Sequence, residues 1–104
     1  MAPQPLTELE IAECLSGLPG WAARDDRLER HYALPGHLPA VALLVHVAAV
    51  QEELGHHAEL TVTYNRLDIA VNTHSVGGRV TQLDVQLARR IEEIAPAHGA
   101  ESAG

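Results

Sequence analysis

The stretch from Leu38 to Val50 is apolar on nearly every side, and no other segment so narrows what this chain can fold into. Leu38, Val41, Ala42, Leu44, Val45, Ala48 and Ala49 cover one broad helical face, and Val47 and Val50 widen it. Pro35-Gly36-His37-Leu38-Pro39 reads as a turn that opens a helix over about 38–54, and Gly55 supplies the stop. A helix with so few polar positions before Gln51 requires burial on more than one side. In a chain of 104 residues, the second side is either more of the internal core or a surface for self-association, with His46 at an interface or rim.

The segments around this helix alternate in a simple order. Thr7-x-x-Glu10 is a capping box, and Leu9, Ile11, Ala12, Leu15 and Leu18 follow at largely helical spacing, which predicts a helix over 7–17 closed by Gly17, Pro19 and Gly20. Cys14 falls on it as a buried or half-buried small apolar residue. Trp21 to Arg24, the Asp25-Asp26 pair, and Arg27 to Leu34 form a hairpin pattern. Its second arm places Leu28, Arg30, Tyr32 and Leu34 on one face, with Trp21 and Tyr32 as core anchors. After the long helix, Leu60 to Tyr64 alternates as a strand, Asn65-Arg66 turns the chain, and Leu67 to His74 returns. Parity gives that strand a core face of Leu67, Ile69 and Val71, with Asp68, Asn72 and His74 opposite.

Gly77-Gly78 then forms a loop. Thr81-x-x-Asp84 caps a last helix over 82–95 striped by Leu83, Leu87, Ile91 and Ile94, and Pro96 onward reads as a loose tail. The order is α-β-β-α-β-β-α, an α+β fold in which helices cover one face of an antiparallel sheet. No repeat and no internal boundary interrupts it, so a single domain over 1–104 is expected, with its core at about 7–95.

Composition removes several classes of function. The chain is 46% hydrophobic and 20% charged, the balance of a globular domain. Seven basic against fourteen acidic residues give a net charge of −7, and with no basic stripe a nucleic-acid partner is not expected. The single cysteine precludes an internal disulfide, which is compatible with a reducing cytoplasm. A signal-peptide pattern is missing and no run approaches membrane-spanning length, so a cytoplasmic protein without a membrane partner is expected.

Chemistry concentrates just past the long helix. Gly55-His56-His57 puts two adjacent imidazoles at its end, and His74 closes a later strand. Glu52 lies one helical turn before His56, where a carboxylate can point toward the same site. Histidine changes charge near neutral pH, so the cluster suits acid/base work, although spacing by itself favours surface histidines on an acidic domain.

Taken together, Glu52-x3-His56-His57, Tyr64, His74 and Asp84 resemble the signature of the pterin-4a-carbinolamine dehydratases. Leu18-Pro19-Gly20-Trp21, the Leu28-x-Arg30-x-Tyr32-x-Leu34 strand, and Thr73-His74 with Gly77-Gly78 are similar to that family too, over about residues 7–95. The resemblance implies a four-stranded antiparallel sheet with three helices on one side. It also implies dehydration of 4a-hydroxytetrahydropterin to the quinonoid dihydropterin in tetrahydropterin recycling. The pterin would be the substrate, with no cofactor or metal, and the assembly a homodimer or homotetramer joined through helical surfaces. Carried over by position, His56, His57 and His74 would be the site histidines, with His57 and His74 as acid and base and His56 positioning the pterin. Glu52 and Asp84 would support them, and Asp84 has a second reading as the partner of Thr81 in the capping box.

Three departures from the family pattern stand out. Ala58 replaces the usual proline after the paired histidines, which leaves His57 less fixed and makes Ala58→Pro a stabilising change if the backbone is already proline-compatible. Leu60 stands where an aromatic is common, in a chain with no phenylalanine. The loop from His74 to Asp84 is about one residue longer than usual. Two other functions compete: a non-catalytic dimeric assembly or regulatory protein on the same fold, and a zinc site built from His56, His57 and His74.

Overall fold

The computed structural model describes residues 3–103, and its elements follow the expected order with one addition at the end. Helix α1 (Glu8–Leu15) opens at the Thr7 capping box, where Thr7 Oγ1 accepts the Glu10 N–H at 3.1 Å and Glu10 Oε1 accepts the Thr7 N–H at 2.9 Å. Strands β1 (Ala22–Arg24) and β2 (Arg27–Ala33) make the first hairpin. Its two turn residues, Asp25 and Asp26, both take positive φ, 53° and 58°, which matches the right-handed twist of a two-residue hairpin. Next come helix α2 (His37–Leu54), strands β3 (Glu59–Thr63) and β4 (Arg66–Val71), and helix α3 (Gln82–Ile94).

The antiparallel strands run in the order β1-β2-β4-β3. Pairing of Leu28 with Val71, Arg30 with Ile69 and Tyr32 with Leu67 sets the two central strands in register, so their apolar residues share one face. On that face Leu28, Tyr32, Leu67, Ile69 and Val71 are buried against Leu43 and Val47 of α2 and Leu87 and Ile91 of α3. The protein is thus α+β, three helices with an antiparallel sheet.

Three points go beyond or against the sequence reading. The β3–β4 turn sits one residue earlier, with Tyr64 in positive φ (53°), and β4 ends at Val71 rather than His74. In α2 the core stripe is Ala40, Leu43, Val47 and Val50 with Gln51, while Leu38, Ala42, Val45 and Ala49 face outward. A helix apolar all round carries no polar face to mark which side is inward, so its periodicity could not choose between the two.

The third change is the C-terminal segment, which is ordered and not a loose tail. A short 3₁₀ turn (Ala95–His98) ends at Gly99 with φ 77°, and Glu101–Ser102 adds as β5 to the outer edge of β2 beside Tyr32 and Ala33. Gly99 is needed there, because a Cβ would come within 2.8 Å of the Pro35 ring. The sheet therefore has a fifth strand, sharing with β1 the free edge of β2.

What fastens this edge is a carboxylate. Glu92 of α3 accepts hydrogen bonds from Trp21 Nε1 (2.7 Å), Arg30 Nε (2.8 Å) and Tyr32 Oη (2.5 Å). Arg30 lies over the Tyr32 ring at 4.3 Å and donates from Nη1 to Ser102 Oγ at 2.9 Å, which ties β5 into the same cluster. Burial first, and then the Glu92 carboxylate, push the Tyr32 phenol far above its ordinary value. Removing Glu92 leaves three donors without their acceptor at a part-buried site, so Glu92→Ala is expected to cost about 1–3 kcal/mol in urea denaturation. Glu53→Ala, which breaks only a surface pair with Arg90, should leave stability nearly unchanged.

Candidate active site

The chain gathers its histidines where α2 ends and β4 gives out. Gly55 takes φ 66°, which turns the backbone out of α2 and sends His56 and His57 toward β3. Glu59 pairs with Ala70, and continuing that register two residues brings His57 beside Asn72. Past β4, Thr73 holds the chain in place. Its N–H donates to Arg79 O at 2.9 Å, and its O accepts from Val76 and Gly78, which closes a tight turn containing a 3₁₀ segment (His74–Val76). Gly77 and Gly78 both have φ 74°, a conformation that disfavours any side chain, and His74 projects from the start of this turn into solvent.

Beneath the histidines lies a buried polar cluster. Asp84, in the first turn of α3, is wholly inaccessible. Its Oδ2 accepts the Thr81 N–H at 2.8 Å and the Thr73 hydroxyl at 2.9 Å, while its Oδ1 accepts from His56 Nε2 at 2.6 Å. Because Thr73 donates to Asp84, its oxygen is left to accept the Thr81 hydroxyl at 2.8 Å, and Thr81 Oγ1 takes the Leu83 N–H at 3.2 Å. The Asp84 carboxylate, both threonine hydroxyls and His56 Nε2 are paired by one consistent set of proton positions. The capping and supporting readings of Asp84 are therefore both realised, one on each oxygen. Since Nε2 carries the proton toward Asp84, a neutral His56 presents Nδ1 as an acceptor.

His56, His57, Asn72, Thr73, His74 and Leu83 line a cleft of about 330 Å³. A second hollow of about 260 Å³ continues from His57, Asn72 and His74 to Arg27 and Glu59 on the open face of the sheet. Beyond it, His31 Nδ1 meets Asp68 Oδ1 at 2.6 Å. Burial pushes that carboxyl up, but hydrogen bonds from His31 and Arg66 outweigh it and hold Asp68 below its usual value.

The structure brings His56, His57, His74 and Asp84 together, sets Glu52 beside this group and leaves Tyr64 apart from it. Glu52 approaches His57 Nε2 at 3.8 Å, not His56, and both side chains are exposed. Tyr64 stands at the opposite end of β3, 83% exposed, with only its carbonyl engaged by His37. Among the described residues, no three of His, Cys, Asp and Glu are grouped to hold a metal ion.

Gln51 and Asn72 were missed by sequence reasoning. Gln51 is buried at the end of α2, and its Oε1 accepts the Ala58 N–H at 2.8 Å. This contact reverses the expectation for Ala58→Pro, since proline lacks that donor and would leave a buried amide oxygen unpaired. Asn72 could have been found from the strand parity that singled out His74, two residues away.

A family profile described as pterin 4 alpha carbinolamine dehydratase matches residues 4–94. A Streptomyces avermitilis protein, named as a candidate pterin-4-alpha-carbinolamine dehydratase, is 53% identical over 96% of this chain and 99% of its own. A protein of the same name from Opitutus terrae is 40% identical over 88% of this chain and 95% of its own. Among solved structures, the transcriptional coactivator/pterin dehydratase from Brucella melitensis superposes with a TM-score of 0.84 at 35% identity, covering 88% of this chain and 99% of that one. A pterin dehydratase-like RuBisCO assembly factor of the alpha-carboxysome shares the fold alone, with a TM-score of 0.58 at 20% identity over 72% of this chain and 86% of that one. By its matched span, its relatives and its fold, the chain belongs to the pterin 4 alpha carbinolamine dehydratase family.

Proposed function

We propose that this protein dehydrates 4a-hydroxytetrahydropterin to the quinonoid dihydropterin, in tetrahydropterin recycling, using histidines alone and no cofactor or metal. The observation that carries the reading is the cleft in which His57 and His74 stand exposed over a His56 fixed by Asp84. Loss of water from C4a breaks the C–O bond, and the electron pair of the adjacent ring nitrogen forms the new C=N bond as that nitrogen gives up its proton. One imidazole must hand a proton to the leaving hydroxyl while another accepts the ring proton, each contributing about 10²–10⁴-fold. His57 and His74 fill these roles because both rings are free at the cleft. His56, with Nε2 committed to Asp84, orients the pterin through Nδ1. Glu52 serves as a solvent-exposed carboxylate beside His57.

The rival reading, a non-catalytic assembly or regulatory protein, draws on the open stripe of α2. Leu38 is 75% and Val45 60% exposed, with Ala42 and Ala49 between and beyond them. We assign that stripe to a second copy of the chain, in a homodimer or homotetramer, which is compatible with either function. No helix among the described residues is long and apolar enough to cross a membrane, and a cytoplasmic enzyme fits this reading.

A stopped-flow assay with authentic 4a-carbinolamine tests the activity. Wild-type protein should accelerate dehydration, and His57→Ala or His74→Ala should each slow it by at least about 10²-fold with thermal stability preserved. A wild type with no effect on the rate would favour the assembly reading. Asp84→Asn places an amide donor against the donors that Asp84 satisfies, so it should both slow the reaction and cost about 1–3 kcal/mol on denaturation. Unchanged stability would contradict the buried cluster. For assembly, Val45→Glu should shift the protein toward monomer in light scattering, by placing a charge in a desolvated contact. A monomeric wild type at micromolar concentration would remove the second copy.

A further inference from the structure

Gln51 holds three amides of the segment that carries the paired histidines. Its main-chain O accepts the N–H of Gly55 and, at 3.2 Å, that of His56, and its side-chain Oε1 accepts the N–H of Ala58 at 2.8 Å. His57 is the residue left between the second and third of these ties. Its own ring has no comparable restraint, being 60% exposed with only the still more exposed Glu52 carboxylate near it, at 3.8 Å. The direction in which His57 leaves the backbone is therefore fixed by the amides on either side of it, and both are fixed by Gln51. Gln51 itself is 5% exposed, packed into α2 next to Val50, so the tie is anchored in the core.

We infer that Gln51 is a positioning residue for His57, acting through the Ala58 amide. This rests on the dehydratase reading for its catalytic consequence but not for its geometry. A side chain seven residues back does by hydrogen bond what a rigid ring at position 58 would do covalently: it holds the stretch from Gly55 to Ala58 in one shape. A catalytic imidazole displaced by about 1 Å can lose about 10²-fold in rate, so the tie reaches the chemistry without touching the substrate.

The test pairs Gln51→Met, which keeps length and burial but deletes the acceptor, with Gln51→Glu, which keeps an accepting side-chain oxygen at the same reach. Gln51→Met should lower kcat per folded molecule by about 10–100-fold, with KM changed much less, and Gln51→Glu should recover most of that loss. Hydrogen exchange of the Ala58 amide, followed by NMR, reads the tie independently of turnover. It should be protected in wild type and in Gln51→Glu, and at least about ten times faster in Gln51→Met. A folded Gln51→Met with wild-type kcat overturns the positioning role and leaves the dehydratase reading intact. If wild type does not turn over the carbinolamine, that reading fails by itself. An Ala58 amide that exchanges at the unprotected rate in wild type overturns the inference in every case, including one in which Gln51→Met does not fold.

Discussion

The Asp84 carboxylate is the interaction on which both the fold and the site depend. A charged group without solvent access is tolerated only when its lone pairs are taken up, and here backbone, hydroxyl and imidazole donors share them. One oxygen starts α3 by satisfying the Thr81 N–H, and it pins Thr73 at the end of β4. The other fixes the ring of His56 at the end of α2. The ends of α2 and β4 and the start of α3 are thereby held to one point, and the cleft lined by His56 and Thr73 lies beside it. The residue in the first turn of a helix is also the one that engages Nε2 of His56 and leaves Nδ1 without that partner.

A second carboxylate does comparable work at the opposite margin of the sheet. Glu92 gathers Trp21, Arg30 and Tyr32, and through Arg30 it reaches Ser102. The three donors it engages belong to residues that are themselves buried, so this partly buried cluster helps specify where the edge closes. Between these two anchors, α2 presents one apolar face to the core and leaves another open. This is how a helix with almost no polar positions is accommodated in so small a molecule.

Much of this was legible in the sequence because it is local. The two capping boxes, the alternation in β2 and β4, and the adjacency of His56 and His57 are spacing statements, and spacing survives folding. Three features were not legible, each for a definite reason. The core side of α2 could not be chosen, since Leu43 and Val47 look no more apolar than Leu38 and Val45. The C-terminal segment looked like a tail because its Ala, Gly and Ser residues carry no hydrophobic pattern, and its order comes from pairing with β2 and from Arg30. The contact from Gln51 to Ala58 crosses a helix end, and only the left-handed turn at Gly55 brings the two together. Glu52 illustrates the converse: helical spacing related it to His56, but the same turn swung His57 into its reach instead.

The central claim is that the cleft over the Asp84–His56 pair receives a pterin ring between His57 and His74. A crystal structure of the protein with an unreactive dihydropterin bound tests it most directly. The ring is expected in the cleft lined by His56, His57, Asn72 and His74, with C4a facing His57 or His74 and His56 Nδ1 at hydrogen-bond distance from a ring donor. A pterin seated elsewhere, or a cleft left vacant at saturating ligand, would contradict it.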